Sequence, residues 1–483
     1  MSAFPFFLRK RRQGPDREPR PGALLVVAVL VALLPLNAAA ETLKEALAAA
    51  YRDNPTLLAA RARLRATDEG VSQALSGWRP TLSLAAAAGV EAERSNSTVV
   101  DRGQHREQKT LSVNLGQSLY KGGRTIAATR GAENEVRAER VRLNGTEQKI
   151  LFGAATAYMD VVRDQAVLKL NIGNEQVLRR QLQATRDRFE VGEITRTDVY
   201  QAEARLAGST ADRIKAEGNL EISRAAYRNV IGRTPDKLSR PGKNGELPTL
   251  EADAVKAALK GNWDLLAAGF SARAARDNID EIKGELLPSL DLNGSAARSL
   301  NTAGEDSRSD SYKASLTLTV PLYQSGVVYS RLREARQKAA EERRKTDQAR
   351  RDAVQAATSA WERLQTTRAR ASSFKSQIEA TKVALEGVQR EASVGSRTVL
   401  DVLDAEQELL NARVSFVGAQ RDEVVAGFDL MSAMGWLTAR KMNLPVDLYD
   451  SRGHYRKVRN KWLGGDGSGD VTQEEAAGAP GKP

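Results

Sequence analysis

The chain of 483 residues contains no cysteine. This excludes disulfides, thiolate metal sites, cysteine nucleophiles and a lipidated N-terminal cysteine. Only two histidines occur, His105 and His454, which argues against a histidine-rich metal centre or a histidine relay. His105 is expected in a loop and His454 on the surface. Aromatic residues make up 5% of the chain and charged residues 28%. Such a composition, rich in Ala, Arg, Glu and Gln, suits long helices better than a compact mixed core. Proline is missing between Pro80 and Pro235 and again between Pro321 and Pro445, so nothing there forbids very long helices. Beyond residue 40 no apolar run approaches the roughly 18 residues of a membrane-crossing helix. A chain of this kind outside the cytoplasm is either soluble or crosses a membrane as β-strands.

Basic residues exceed acidic ones, giving a formal net charge of +12. Much of the excess sits at the start. Arg9, Lys10, Arg11, Arg12, Arg17 and Arg20 face only Asp16 and Glu18 within residues 1–40. The rest is interleaved with acidic residues, as on solvated helix faces, and no nucleic-acid partner is expected. The basic stretch, the apolar run ALLVVAVLVALL at 23–34 and Ala38-Ala39-Ala40 follow the order of a secretory signal peptide. Residues 1–40 are therefore expected to be removed, with cleavage before Glu41.

The remainder is a duplication. VGEITRTDVYQAEARL at 191–206 and VGSRTVLDVLDAEQEL at 394–409 match at eight of sixteen positions, 203 residues apart. Asn54, Leu57 and Leu58 recur at Asn262, Leu265 and Leu266, and Pro80-x-Leu82-x-Leu84 recurs as Pro288-x-Leu290-x-Leu292, 208 residues apart. Five residues are thus lost in copy two, an expectation that falls on the polar stretch 91–107. Copy one is read as 41–245 and copy two as 246–445. Residues 446–483 are read as an extension without fixed structure, its end (464–483) rich in Gly, Pro and acidic residues.

Residues 124–190 and 327–393 are each 67 residues of helix-forming composition, or roughly 100 Å of continuous helix. Four short segments alternate with period two instead, and strands are expected at about 79–90, 108–120, 286–297 and 310–322. Four strands cannot close a membrane barrel, which needs at least about eight. Crossing a membrane would therefore require several copies to pool strands.

Gly192 and Gly395 end the long helical patterns, each after a valine, Val191 or Val394. Thr195-x-x-Asp198 and Thr398-x-x-Asp401 then start the next helices as capping boxes. Asp401, Asp404 and Glu408 share one helix face where copy one carries Asp198, Gln201 and Arg205. If such hairpins ring an axis, Asp401 and Asp404 form stacked carboxylate rings that attract cations. Arg397, on the same turn, could pair with Asp198 of a neighbouring hairpin.

Asn54-Pro55-x-Leu57, the Pro80 strand start, Leu119-Tyr120-x-Gly122-Gly123-Arg124 and the paired VG-x-x-T-x-x-D-V turns resemble the TolC family of outer-membrane efflux and type I secretion channels over about residues 42–445. The resemblance implies a mainly α protein with a membrane β-barrel. Long helices would form a periplasmic α-barrel, and four strands from each protomer would build a twelve-stranded barrel in a homotrimer. It implies a passive duct with no catalysis, cofactor or metal, set in outer-membrane lipid. Its partners would be a periplasmic adaptor protein and an inner-membrane ABC or proton-driven transporter. It makes Asp198, Arg397, Asp401 and Asp404 the aperture residues, and Val191, Gly192, Thr195, Val394, Gly395 and Thr398 the adaptor-docking turns. Two departures stand out. Ala392 occupies the position of a gating aromatic, and Gln324-Ser325-Gly326 replaces the Gly-Gly-Arg of copy one. The lack of cysteine excludes the lipidated branch. The competing reading is a soluble periplasmic coiled-coil adaptor or scaffold.

Overall fold

The computed structural model describes residues 40–93, 104–235, 237–242, 247–303 and 306–465. The expected signal peptide, apart from Ala40, lies outside the described residues, as does the end of the tail from residue 466. So does the middle of the 91–107 stretch.

Copy one runs α1 (Leu43–Asp53), α2 (Pro55–Leu75), β1 (Thr81–Glu93), β2 (Gln104–Lys121), α3 (Arg124–Glu190) and α4 (Arg196–Ile231). Copy two repeats this order as α5 (Glu251–Gly261), α6 (Trp263–Lys283), β3 (Ser289–Leu300), β4 (Arg308–Thr319), α7 (Val327–Ser393) and α8 (Val399–Ala433). The two 67-residue helices have the expected bounds. The strands lie within four residues of expectation, and β2 starts early enough to take in His105, which is not a loop residue. The strand alternation continues through polar residues there, beyond the apolar positions that marked it.

The recurring asparagines explain one kink in each copy. Asn54 ends α1 and caps α2, accepting from Thr56 N at 3.0 Å, while its Nδ2 donates to Val230 O of α4 at 2.8 Å. Asn262 does the same between α5 and α6, accepting from Leu265 N at 3.1 Å. A short polar side chain thus serves as helix cap and as tie to a second helix end.

The strands form one antiparallel sheet in the order β1-β2-β3-β4. Directly opposed residues share a face. Leu84 faces Val113, Val113 faces Ala296, and Ala296 faces Tyr312. Leu82, Leu115, Leu292, Leu316 and Leu318 join this apolar face. Ser83, Asn114, Ser295 and Lys313 lie on the other, which is polar. At the turn end the apolar face gives way to charge, where Asp310 pairs with Arg298 at 2.6 Å and Arg308 at 2.8 Å. The strands are 12 to 18 residues long, ample for the 9–11 of a membrane strand. Among the described residues no helix is long and apolar enough to cross a membrane.

The helices continue the strand order, with α2 against α3, α3 against α6 and α6 against α7. Farther from the sheet α4 pairs with α3 and α8 with α7, and α3 meets α8. A main core midway gathers Leu47, Leu57, Leu151, Tyr158, Tyr227 and Leu437. Tyr158 Oη lies 2.7 Å from Glu41 O and 2.6 Å from Ser239 O, and Tyr227 donates to Glu41 Oε2 at 2.8 Å. Burial and then the Glu41 carboxylate push the Tyr227 hydroxyl well above its ordinary value.

The extension corrects one expectation. Residues 446–465 are folded, include α9 (Gly453–Val458) and pack against α2. His454 is not a bare surface residue: its Nδ1 is 3.2 Å from the buried Asp68 Oδ2. Burial raises the Asp68 carboxyl above its usual range, against the pull of His454 and Arg140. Composition suggested disorder because these contacts are single and long-range, without a repeating pattern.

Copy two keeps the same backbone turn although Ser325 stands at the position of Gly122. Gly122 and Gly123 have φ of 59° and 78°, and Ser325 and Gly326 have 51° and 76°. A Cβ on Gly122 would come within 2.3 Å of Gly284 O. Gly122→Ala is therefore expected to destabilise by about 2–4 kcal/mol, combining left-handed strain with overpacking. Ser325→Gly should be neutral or slightly stabilising. Thermal dissociation of the purified protein checks both, and equal midpoints for the two variants would contradict this account.

Candidate functional site

The two hairpin tips have the same backbone. Val191 caps α3 and Gly192 follows with φ +81°. Val394 caps α7 and Gly395 follows, also with φ +81°. Glu193 N donates to Arg188 O at 2.9 Å and Ser396 N to Glu391 O at 3.0 Å, which closes each helix end. Val191 and Val394 stand exposed at the tips. The next helices begin with the expected threonines. Asp198 Oδ2 accepts from Thr195 N at 2.9 Å and Thr195 Oγ1 at 2.8 Å. Asp401 Oδ2 accepts from Thr398 N and Thr398 Oγ1 at the same distances. The Thr398 backbone N–H is the main reason the Asp401 carboxyl lies below the ordinary carboxylate range.

The charges around these turns are unequal. In copy one Arg188 pairs with Glu193 at 2.9 Å, and in copy two Arg397 pairs with Glu391 at 2.9 Å. Arg397 and Asp198 are thus not brought together within one chain. Asp404 is bonded to Arg205 of the other hairpin. Below this pair Leu178, Leu182, Ala202 and Leu403 form a small apolar cluster, with Val199 and Val399 packed against it. Arg186 pairs with Glu203 at 2.6 Å, whereas the equivalent Glu406 meets Gln389 at 3.1 Å. Burial raises the Glu406 carboxyl above its usual value, countered by Arg413 and Gln389.

Arg205 and Glu391 are the site residues that sequence reading missed. Arg205 carried a signal, being the opposite charge in the stripe where copy two has Glu408. Its pairing with Asp404, 199 residues away, had none.

A sheet that is apolar on one face, carried on helical hairpins that end in charged tips, defines a protomer of a membrane-embedded channel. The profile of the outer membrane efflux protein family matches residues 45–233 and 254–436, one stretch in each copy. Outer membrane efflux protein BepC of Brucella suis is 34% identical over 429 residues, covering 88% of this chain and 92% of that protein. Outer membrane protein TolC of Vibrio cholerae is 30% identical over 431 residues, covering 86% and 96%. The solved outer membrane channel CmeC of Campylobacter jejuni has the same fold, with a TM-score of 0.75 at 16% identity over 86% of this chain and 89% of that one. The chain belongs to the outer membrane efflux protein family. It is an outer-membrane exit channel protein with a large periplasmic helical part.

The face assignment makes a sharp prediction. Leu84→Lys places a charge on the lipid face and is expected to cost about 2–4 kcal/mol near the bilayer midplane. Ser83→Lys, one residue away on the polar face, should assemble normally. Yield of folded protein in outer-membrane fractions reads the difference, and equal yields would overturn the assignment.

Proposed function

We propose that three copies pool their sheets into one twelve-stranded barrel, and that the chain is a passive duct of a tripartite efflux or type I secretion system. The observation that carries this is the sheet's pair of unpaired edges, β1 and β4, beside a continuous apolar face. Hydrocarbon does not tolerate open strand edges, so each must find a strand from another copy. The soluble adaptor reading leaves that apolar face without a use.

In this reading residues 1–40 are removed on export, copies 41–245 and 246–445 form the channel, and 446–483 lies outside the duplication. The tips carry Val191, Gly192, Thr195, Val394, Gly395 and Thr398 to a periplasmic adaptor, which links the duct to an inner-membrane ABC or proton-driven transporter. Proteins or small molecules pass without a catalytic step, a cofactor or a metal. Asp401 lines the aperture, and Arg397 reaches Asp198 of the neighbouring subunit once three chains meet. Ala392 offers no aromatic contact, and the Arg205–Asp404 pair with its apolar cluster closes the two hairpins of each chain instead. Asp404 is then partly neutralised, so Asp401 carries most of the attraction for cations.

Two outcomes in planar bilayers follow. Asp401→Asn should weaken divalent-cation block of single-channel current. Because the Asp401 carboxyl is held below its ordinary value, it keeps its charge to lower pH than an ordinary aspartate, and wild-type block should persist to correspondingly lower pH. Loss of block at pH 5 would remove Asp401 from the aperture. Arg205→Ala should have the opposite effect on block, leaving Asp404 unopposed and lowering the half-blocking concentration about two- to fivefold. Unchanged block and unchanged conductance in that variant would count against the pair as a closing contact.

A further inference from the structure

The folded extension follows a defined path. Tyr449 N donates to Tyr51 Oη at 3.1 Å, at the level of α1. Ser451 O then accepts from Arg140 Nε at 3.1 Å, and His454 meets Asp68. Tyr455 and Arg459 reach Glu133 Oε1 at 3.4 and 3.2 Å. Finally Lys461 O accepts from Arg79 Nη1 at 2.7 Å and Ser72 Oγ at 3.4 Å. Position numbers rise along α2 and fall along α3, from Arg140 to Glu133, and both directions lead toward the sheet. The contacts step in order from Tyr51 through Arg140, Asp68 and Glu133 to Arg79, so the strap has one register.

The strap ends at the base of the sheet. Arg79 stands two residues before Thr81, the first residue of β1. Its guanidinium carbon lies 5.3 Å from the centre of the Trp462 ring. Trp462 is 64% exposed and Leu463 89% exposed. Just before them, residues 452–461 carry Arg452, Arg456, Lys457, Arg459 and Lys461 and no acidic residue. Arg456 pairs with Asp450 at 2.5 Å and Arg459 with Glu133 at 3.2 Å, so the segment keeps an excess of positive charge after these pairs.

The strap and the main core beside it lie on the outside of the helix ring. A ring of about twelve helices spaced about 10 Å apart has a radius of about 19 Å. Its lumen could not hold three such layers, each about as thick as a helix at roughly 10 Å, and remain a duct. On the outside, the base of the sheet is where the membrane's hydrocarbon ends and headgroups begin. An exposed tryptophan beside leucine suits that boundary, and a basic segment beneath it suits anionic headgroups.

We propose that residues 452–463 are a membrane-interface anchor: the strap delivers Trp462 and Leu463 to the periplasm-facing surface of the outer membrane, and its basic residues meet anionic phospholipid there. The proposal rests on the barrel reading above. The chain thereby holds its helical part against the bilayer without the lipidated cysteine that it lacks.

The chain has no cysteine, so Trp462→Cys and Leu463→Cys each create a single labelling site. Nitroxide-labelled, full-length protein is reconstituted in liposomes of phosphatidylethanolamine and phosphatidylglycerol. Collisions with oxygen and with a water-soluble nickel chelate are then compared. Labels at 462 and 463 are expected to favour oxygen, with nickel collisions several-fold below those of Ser396→Cys at the exposed tip. Values like those of Ser396→Cys would overturn the anchor. So would shielding from both reagents, the result expected if Trp462 packs against a neighbouring copy. Leu84→Cys separates the two levels. If it also reads as water, the barrel reading fails and the anchor with it. If it reads as lipid while 462 and 463 do not, only the anchor fails. Replacing phosphatidylglycerol with phosphatidylcholine should raise nickel collisions at 462 but not at 84, and no rise would overturn the anionic-headgroup assignment.

Discussion

Backbone groups in hydrocarbon must be paired, and a four-stranded sheet has two edges that are not. Much of the architecture follows from that one constraint. The apolar face fits the sheet for lipid, but β1 and β4 are edge strands, each presenting a row of N–H and C=O groups that pairs with no other strand among the described residues. Only neighbouring strands from other copies can satisfy them. The helices inherit the arrangement, because α2, α3, α6 and α7 continue the order of the strands they adjoin. A ring of strands therefore imposes a ring of helices, and the duct through one continues through the other.

Duplication supplies regularity, and departures from it supply function. The copies share kinks at Asn54 and Asn262, helix lengths, tip glycines and threonine caps. Such features fix backbone geometry and are hard to change singly, since one inserted residue turns the rest of a helix by about 100°. Side chains on the tips are free of this limit and differ. Arg188–Glu193 in one tip becomes Glu391–Arg397 in the other, with the charges reversed. Arg205 stands where copy two has Glu408, and it pairs with Asp404 of the other hairpin. A closed arrangement needs complementary surfaces on adjacent hairpins, and two identical tips would present like charges to each other.

Much of this was legible in the sequence wherever a local rule applied. Long proline-free stretches bounded by glycine gave the two 67-residue helices their observed ends. Threonine followed three residues later by aspartate foretold both caps. Alternation located the strands and their apolar face, though less well their ends, since polar residues continue a strand without announcing it. What escaped was carried by single contacts between distant positions. His454 and Asp68 are 386 residues apart, and Arg79 and Lys461 are 382 apart. No periodicity marks such pairs, and the Gly- and Pro-rich end disguised an ordered strap just before it. Arg205 and Asp404 stayed apart for the same reason, although the change of sign in the stripe was visible.

The central claim is that edges β1 and β4 are joined between chains. Ala85→Cys in β1 and Ser315→Cys in β4, both on the polar face, combined in one chain and treated with a short thiol cross-linker in intact outer membranes, test it directly. The two positions lie on opposite edges of one sheet, so cross-linking is expected only between copies. Denaturing electrophoresis should then show covalent dimers and trimers and nothing larger. Monomer alone, or a ladder extending beyond three chains, would contradict a closed barrel of pooled strands.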